Sequence, residues 1–257
     1  MVLPTFLGIG ASRSGTTSLY AYLRDHPQVF VPPTKELHFF TFGQRGAAKV
    51  EALEGYRRHF EGAGPFAMRG EISPSYLWHP AAARAIRETL GDIRLLVLLR
   101  DPVERAISDY QYGRANGAIN VDFPAFLRQG VAELRAGRVT ALPFAPSAVL
   151  WKGLYSRQVR AYAELFPREA VGLWLFEDLR DQPERFARAL CQFLGVEPVA
   201  GLVPGRTNQR GEAVPVGVEE RRRLADLYRK DIAVTADLIG RDLSHWAPEG
   251  RGRKAGP

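Results

Sequence analysis

Between Gly10 and Thr17 the chain reads Gly10-Ala11-Ser12-Arg13-Ser14-Gly15-Thr16-Thr17. This is nearly the spacing of a phosphate-binding loop, with Thr16 where ATP-using loops carry lysine. The residue types suit an anion. Glycines let backbone amides approach a phosphate, and a helix N-terminus offers unpaired N–H groups and a positive partial charge. Ser14, Thr16, Thr17 and Ser18 add hydroxyl donors. Arg13 adds the cation, inside the loop rather than after Gly15, as a planar fork of donors. The plainer alternative is a strand-to-helix turn capped by serine and threonine. Without the lysine, the loop is not one for chemistry on the β- and γ-phosphates of ATP.

Four further clusters carry chemistry. Arg100-Asp101-Pro102 follows an apolar run and opens a helical pattern with Ser108 two turns in. Arg100 and Ser108 suit a second phosphate, or Arg100 pairs with Asp101 or Glu104. Lys35, Glu36 and His38 sit beside Phe39 and Phe40. A carboxylate and an imidazole against apolar walls match a general-base site, although either by itself is more often structural. The stretch Gly70-Glu71-Ile72-Ser73-Pro74-Ser75-Tyr76-Leu77-Trp78-His79-Pro80 offers Tyr76 and His79 to an acceptor cleft, or is a turn capping a helix that starts at Pro80. Finally, Gly205–Gly211 is a basic glycine loop whose Arg210 and Gly211 suit closure over a nucleotide, or a plain solvent loop.

The elements that position these residues follow from hydrophobic pattern. Short apolar runs at Phe6–Ile9, Phe66–Gly70, Arg94–Leu99 and Val171–Phe176 predict parallel strands buried on both faces. Helical patterns cover Thr16–Asp25, Lys49–Phe60, Pro80–Leu90, Val103–Asn116, Phe123–Arg135, Ala148–Phe166, Gln182–Leu194 and Val218–Ile239. The alternation predicts an α/β, P-loop-like fold with a central, mainly parallel sheet flanked by helices. Ligands bind such sheets beyond the carboxyl ends of the strands, so the loops after Ile9, Gly70, Leu99 and Phe176 are expected on one rim. Residues 1–247 read as a single domain and 248–257 as a disordered basic tail.

The formal charge is +7, and lysine appears only at Lys35, Lys49, Lys152, Lys230 and Lys254 among 35 basic residues. That balance favours acidic partners, and the arginine bias also fits a GC-rich genome. Five histidines show no metal-ligand spacing, so no metal is expected. The single Cys191 lies in a helical apolar pattern and reads as a small buried residue. No signal sequence or membrane span is visible, which predicts a cytoplasmic protein. No nucleic-acid module is recognisable.

These motifs in this order resemble the sulfotransferases that use 3′-phosphoadenosine 5′-phosphosulfate (PAPS), closest to their glycan and bacterial branch. Ser12-Arg13-Ser14-Gly15-Thr16-Thr17 resembles the family's 5′-phosphosulfate loop. Arg100-Asp101-Pro102 through Ser108 resembles its 3′-phosphate motif. Lys35-Glu36-Leu37-His38-Phe39-Phe40 resembles the segment that supplies the catalytic glutamate in heparan-type members. Two departures stand out: Arg13 replaces the commoner lysine, and Ile72 falls where heparan-type members carry a second lysine.

The resemblance implies a PAPS donor, 3′-phosphoadenosine 5′-phosphate (PAP) as product, and no metal. It implies Glu36 as general base, with His38 next in line and His79 third. Arg13 and Ser14 to Ser18 would hold the phosphosulfate, and Arg100 and Ser108 the 3′-phosphate, with Arg210 and Gly211 closing over it. The acceptor is a glycan or small molecule that meets Lys35, His38, Phe39, Tyr76 and His79. The rival readings are a P-loop kinase using ATP and Mg²⁺, which wants the missing lysine, and a non-catalytic binder of nucleotide or nucleic acid. Oligomeric state is not legible.

Overall fold

The computed structural model describes residues 2–43, 49–205 and 215–247. They group into two compact units, one of residues up to 99 with 161–205, the other of 100–160 with 215–247.

The first unit opens with β1 (Phe6–Gly10), α1 (Thr16–Arg24) and β2 (Val29–Phe30). A π-type turn at Phe39–Gly43 precedes α2 (Lys49–Arg58), β3 (Met68–Ile72), α3 (Ser75–Trp78), α4 (Ala82–Leu90) and β4 (Arg94–Leu99). The chain then enters the second unit with α5 (Pro102–Ala115), α6 (Phe123–Arg135) and α7 (Pro146–Trp151), and returns through α8 (Tyr155–Ala163). β5 (Val171–Leu175), α9 (Phe176–Asp181) and α10 (Pro183–Leu194) complete the first unit, and α11 (Val218–Ile239) belongs to the second.

Among the described residues the five strands are all parallel, in the order β2-β3-β1-β4-β5. β1 is buried along its whole length and β4 is buried after Arg94, which is why both read as unbroken apolar runs. β1 lies between β3 and β4, so the chain's crossovers diverge on either side of it. Its carboxyl end is therefore the switch point at which open α/β sheets bind ligands. One core cluster joins Leu19, Tyr22 and Leu23 of α1 to Leu96 and Leu98 of β4 and to Leu190, Cys191 and Leu194 of α10. Cys191 is buried as expected, its sulfur 3.1 Å from the Tyr22 hydroxyl.

Among the differences from the sequence reading, three have a clear physical reason, and the short strand β2 was not predicted. The second predicted strand, Phe66–Gly70, lies at Met68–Ile72. Gly70 does not end it: Gly70 sits in register with Phe6, and a Cβ there would come within 2.3 Å of the Phe6 carbonyl oxygen. Glu71 is thus inside a strand, not in a rim loop. The fourth predicted strand stops at Leu175, where Asp178 accepts a hydrogen bond from the Leu175 amide at 2.9 Å and turns the chain straight into α9. The single helix predicted over Ala148–Phe166 is two, α7 and α8. The break holds Gly153, where a Cβ would lie 2.8 Å from the Tyr228 ring.

The second unit is tied internally by buried charge. Asp109 on α5 accepts from Arg105 at 3.0 Å and from Lys152 at 3.0 Å, all three essentially buried. Burial opposes ionisation of Asp109, but the charges of Lys152 and Arg105 outweigh it and hold the carboxyl below its usual range. Among the described residues no helix is long and apolar enough to cross a membrane. The predicted tail, 248–257, lies outside the described residues.

Candidate active site

The loop after β1 turns on two left-handed residues, Arg13 at φ 66° and Gly15 at φ 91°. Gly15 is needed twice over: its φ suits glycine, and a Cβ would lie 2.9 Å from the Phe176 ring. Gly15 is also the N-cap of α1 and supplies no side-chain acceptor to the first-turn amides. Ser14, Thr16 and Ser18 are buried, while Arg13 and Thr17 are half-buried. The Ser14 hydroxyl is wholly buried with no protein hydrogen-bond partner.

The second element is the turn that carries Lys35, Glu36 and His38. Glu36 and His38 both adopt positive φ, 66° and 53°, an uncommon conformation for such residues. One carboxylate oxygen of Glu36 accepts from the Lys35 ammonium, and the other lies 3.4 Å from His38 Nε2. Partial burial of Glu36 disfavours its charge, but the His38 hydrogen bond and the Lys35 charge prevail and hold the carboxyl at about 2.

Anchors on neighbouring elements hold this turn. His38 Nδ1 lies 2.7 Å from the Ser75 hydroxyl, and the His38 amide donates to the Ser73 hydroxyl at 3.0 Å. Ser73 follows β3, the immediate neighbour of β1, and its own amide donates to the Gly8 carbonyl at 2.9 Å. From the other direction, Tyr20 on α1 donates to the carbonyls of Pro32 and Pro33, just before Lys35. The glycine loop follows β1, while the carboxylate turn, which follows β2, is anchored at the carboxyl end of β3, the strand between them.

The remaining predicted residues divide. His79 is half-buried at the end of α3. Phe39 and Tyr76 are buried: Phe39 stacks on Tyr56, and the Tyr76 hydroxyl donates to Glu71 at 2.6 Å. They back the turn from the interior. Arg100 and Ser108 are half-buried in the second unit. The Arg100 carbonyl accepts from Tyr155 at 2.8 Å, and Asp101 caps α5 through the Val103 amide at 2.9 Å. Glu104, the other suggested partner of Arg100, pairs with Arg221. Arg210 and Gly211 lie outside the described residues.

The family profile described as "Sulfotransferase domain" matches residues 4–204. The chain belongs to the sulfotransferase family. The crystal structure of a sulfotransferase from Alicyclobacillus acidocaldarius aligns with a TM-score of 0.79 at 31% identity, covering 96% of this chain and 99% of that one. Mouse heparan sulfate glucosamine 3-O-sulfotransferase 3B1 is 29% identical over 204 residues, 77% of this chain and 47% of the relative. Bovine bifunctional heparan sulfate N-deacetylase/N-sulfotransferase 2 is 24% identical over 284 residues, 96% of this chain and 31% of the relative. The sulfotransferase thus spans less than half the length of these curated relatives.

For a PAPS-dependent sulfotransferase the anion loop has the right chemistry. A buried hydroxyl without a protein acceptor, an uncapped helix start and a cation in the loop all suit a phosphosulfate. Sequence reasoning missed the supports: Tyr20, Ser73 as an anchor, and Glu71. A signal for Glu71 existed, because a carboxylate inside an apolar strand is expensive unless partnered. Tyr20 gave none, since its use depends on where Pro32 folds.

Proposed function

We propose that this sulfotransferase moves a sulfuryl group from PAPS to a hydroxyl or amine of a carbohydrate or other small acceptor. The observation that supports the reading is Glu36, an ionised carboxylate on a turn tied to α1 through Tyr20 and to the end of β3 through Ser73. In the transfer, a bond forms between the acceptor oxygen or nitrogen and sulfur. The bond from sulfur to the phosphate oxygen breaks, and PAP leaves.

The chain's residues divide the work. Ser14 to Ser18 bind the phosphosulfate by amides and hydroxyls, and Arg13 balances charge that builds on the leaving phosphate. Arg100 and Ser108 take the 3′-phosphate, the group that separates this donor from ATP. Glu36 takes the acceptor's proton. A carboxyl at about 2 is a weak base while Lys35 and His38 both donate to it. An acceptor that replaces one of those donors raises its basicity at the moment of attack. Lys35, His38 and His79 are then the polar groups nearest the acceptor. Glycan acceptors are favoured by the relatives named for heparan sulfate. We infer that residues 1–247 act as one functional domain.

The deciding experiment is calorimetry with PAP against ATP and magnesium, followed by transfer of ³⁵S-labelled PAPS to an unsulfated glucosamine–glucuronate polysaccharide and to a simple phenol. Selective PAP binding with label on one acceptor is expected. Preference for ATP with magnesium, or PAP binding without transfer to any acceptor, would overturn the reading.

A further inference from the structure

Glu71 is fully buried on β3 and accepts three hydroxyl hydrogen bonds: from Ser73 at 2.7 Å, from Tyr76 at 2.6 Å and, more weakly, from Tyr56 at 3.5 Å. Each of these three partners holds a different one of three consecutive residues. Ser73 accepts the amide of His38. Tyr56 stacks on Phe39, ring centroids 4.3 Å apart and planes 14° from parallel. Tyr76 meets Phe40 edge-on at 5.4 Å. The carboxylate thus gathers groups from α2, α3 and the end of β3 and presents them to residues 38–40.

We propose that Glu71 is a positioning residue: it orients the Ser73, Tyr56 and Tyr76 hydroxyls so that the left-handed turn carrying Glu36 and His38 keeps its conformation. The physical reason is directional. A serine hydroxyl that donates to Glu71 must turn its lone pairs elsewhere, and one of them receives the His38 N–H. Without the carboxylate, Ser73 and both tyrosines are free to rotate, and a turn with two residues at positive φ has less to hold it. This rests on the reading of Glu36 as the base, but the restraint itself does not.

The state of the carboxyl adds a readout. Burial pushes Glu71 up to about 7, against the lowering effect of Tyr76, Ser73, His38 and Tyr56. Protonated, Glu71 becomes a donor and must reverse one of its three hydroxyls. The groups facing it are Tyr56 from α2, Tyr76 from α3, Ser73 from the end of β3 and His38 from the turn, and burial keeps both tyrosines neutral.

The test uses Glu71→Gln and Ser73→Ala, each checked for fold by circular dichroism and PAP binding. Amide hydrogen exchange over residues 36–40 should quicken roughly tenfold in both, the loss of a charge-assisted restraint. With the ³⁵S transfer assay, kcat should fall by about a hundredfold while the KM for PAPS holds. The wild-type rate should decline on the acid side of about pH 7, a limb absent from Glu71→Gln. Unchanged exchange in either folded variant overturns the proposal, and a limb that survives in Glu71→Gln overturns the role of the carboxyl's charge. Where Glu71→Gln does not fold, Ser73→Ala decides. A wild-type protein that transfers no label defeats the proposed function, and hydrogen exchange still decides this inference.

Discussion

Tyr20 donates its hydroxyl to the Pro32 carbonyl at 2.7 Å, and to that of Pro33 at 3.0 Å. Tyr20 lies one helical turn inside α1, and Pro32 three residues before Lys35. The helix that starts at the glycine loop therefore also holds the strand exit that leads to the carboxylate. Tyr20→Phe keeps the ring and removes the tie. We expect a loss of about 1 kcal/mol in stability by denaturant titration, unchanged PAP binding and a reduced kcat. A variant with wild-type kcat would separate the two elements.

Glu36→Gln should abolish transfer, by on the order of 10²–10³ or more in kcat, while calorimetry still detects PAP. Near-normal turnover refutes the base assignment. The pH argument is separate. Held at about 2 against an ordinary 4.5, Glu36 is ionised in any usual assay buffer. Its folded-state pKa is depressed, so its contribution to stability is full above the unfolded value and is lost as pH falls through the folded one. Comparing Glu36→Gln with wild type should show a stability difference that is full at neutral pH and shrinks away as pH falls from about 4.5 to about 2.

Gly15→Ala combines a disfavoured φ with a Cβ 2.9 Å from the Phe176 ring. The expected cost is about 2 kcal/mol in stability, together with weakened PAP binding because the first-turn amides shift. A thermal melt and a PAP titration check both. Full PAP affinity in the folded variant would place the 5′-phosphate away from this loop.

Arg100→Ala should weaken PAP far more than AMP in parallel titrations, since only PAP carries a 3′-phosphate. Equal losses for the two nucleotides would assign Arg100 another role.

Asp109→Asn leaves Arg105 and Lys152 buried without a counter-charge. Removing one member of such a group costs about 3–5 kcal/mol. Chemical denaturation should show that loss, and a cost under about 1 kcal/mol would mean that water relieves the two cations.

Much of this molecule is local and hence legible from residue order. The strand at Arg94–Leu99 and the helices at Phe123–Arg135 and Val218–Ile239 match the hydrophobic pattern residue for residue. A parallel sheet buried on both faces demands uninterrupted apolar runs, and amphipathic helices show their period wherever glycine does not intervene. The turn from β1 into α1 was legible for the same reason, because its glycines lie within eight residues of one another.

The supports of the carboxylate turn were not legible, because each depends on residues distant in sequence. Ser73 meets His38 across 35 positions, and Gly70 is glycine because Phe6 lies against it across the sheet. Tyr76 and Phe39 read as open cleft aromatics, yet both are interior. A side chain's type is compatible with either place; which face of the fold it meets is set by packing between strands and helices brought together from far along the chain. Residue types and spacing thus suggest a chemistry for this protein, a glycine loop for an anion and a carboxylate base. The long-range contacts of β3 and α1 fix the supports of the carboxylate turn and give Glu71 its place beneath it.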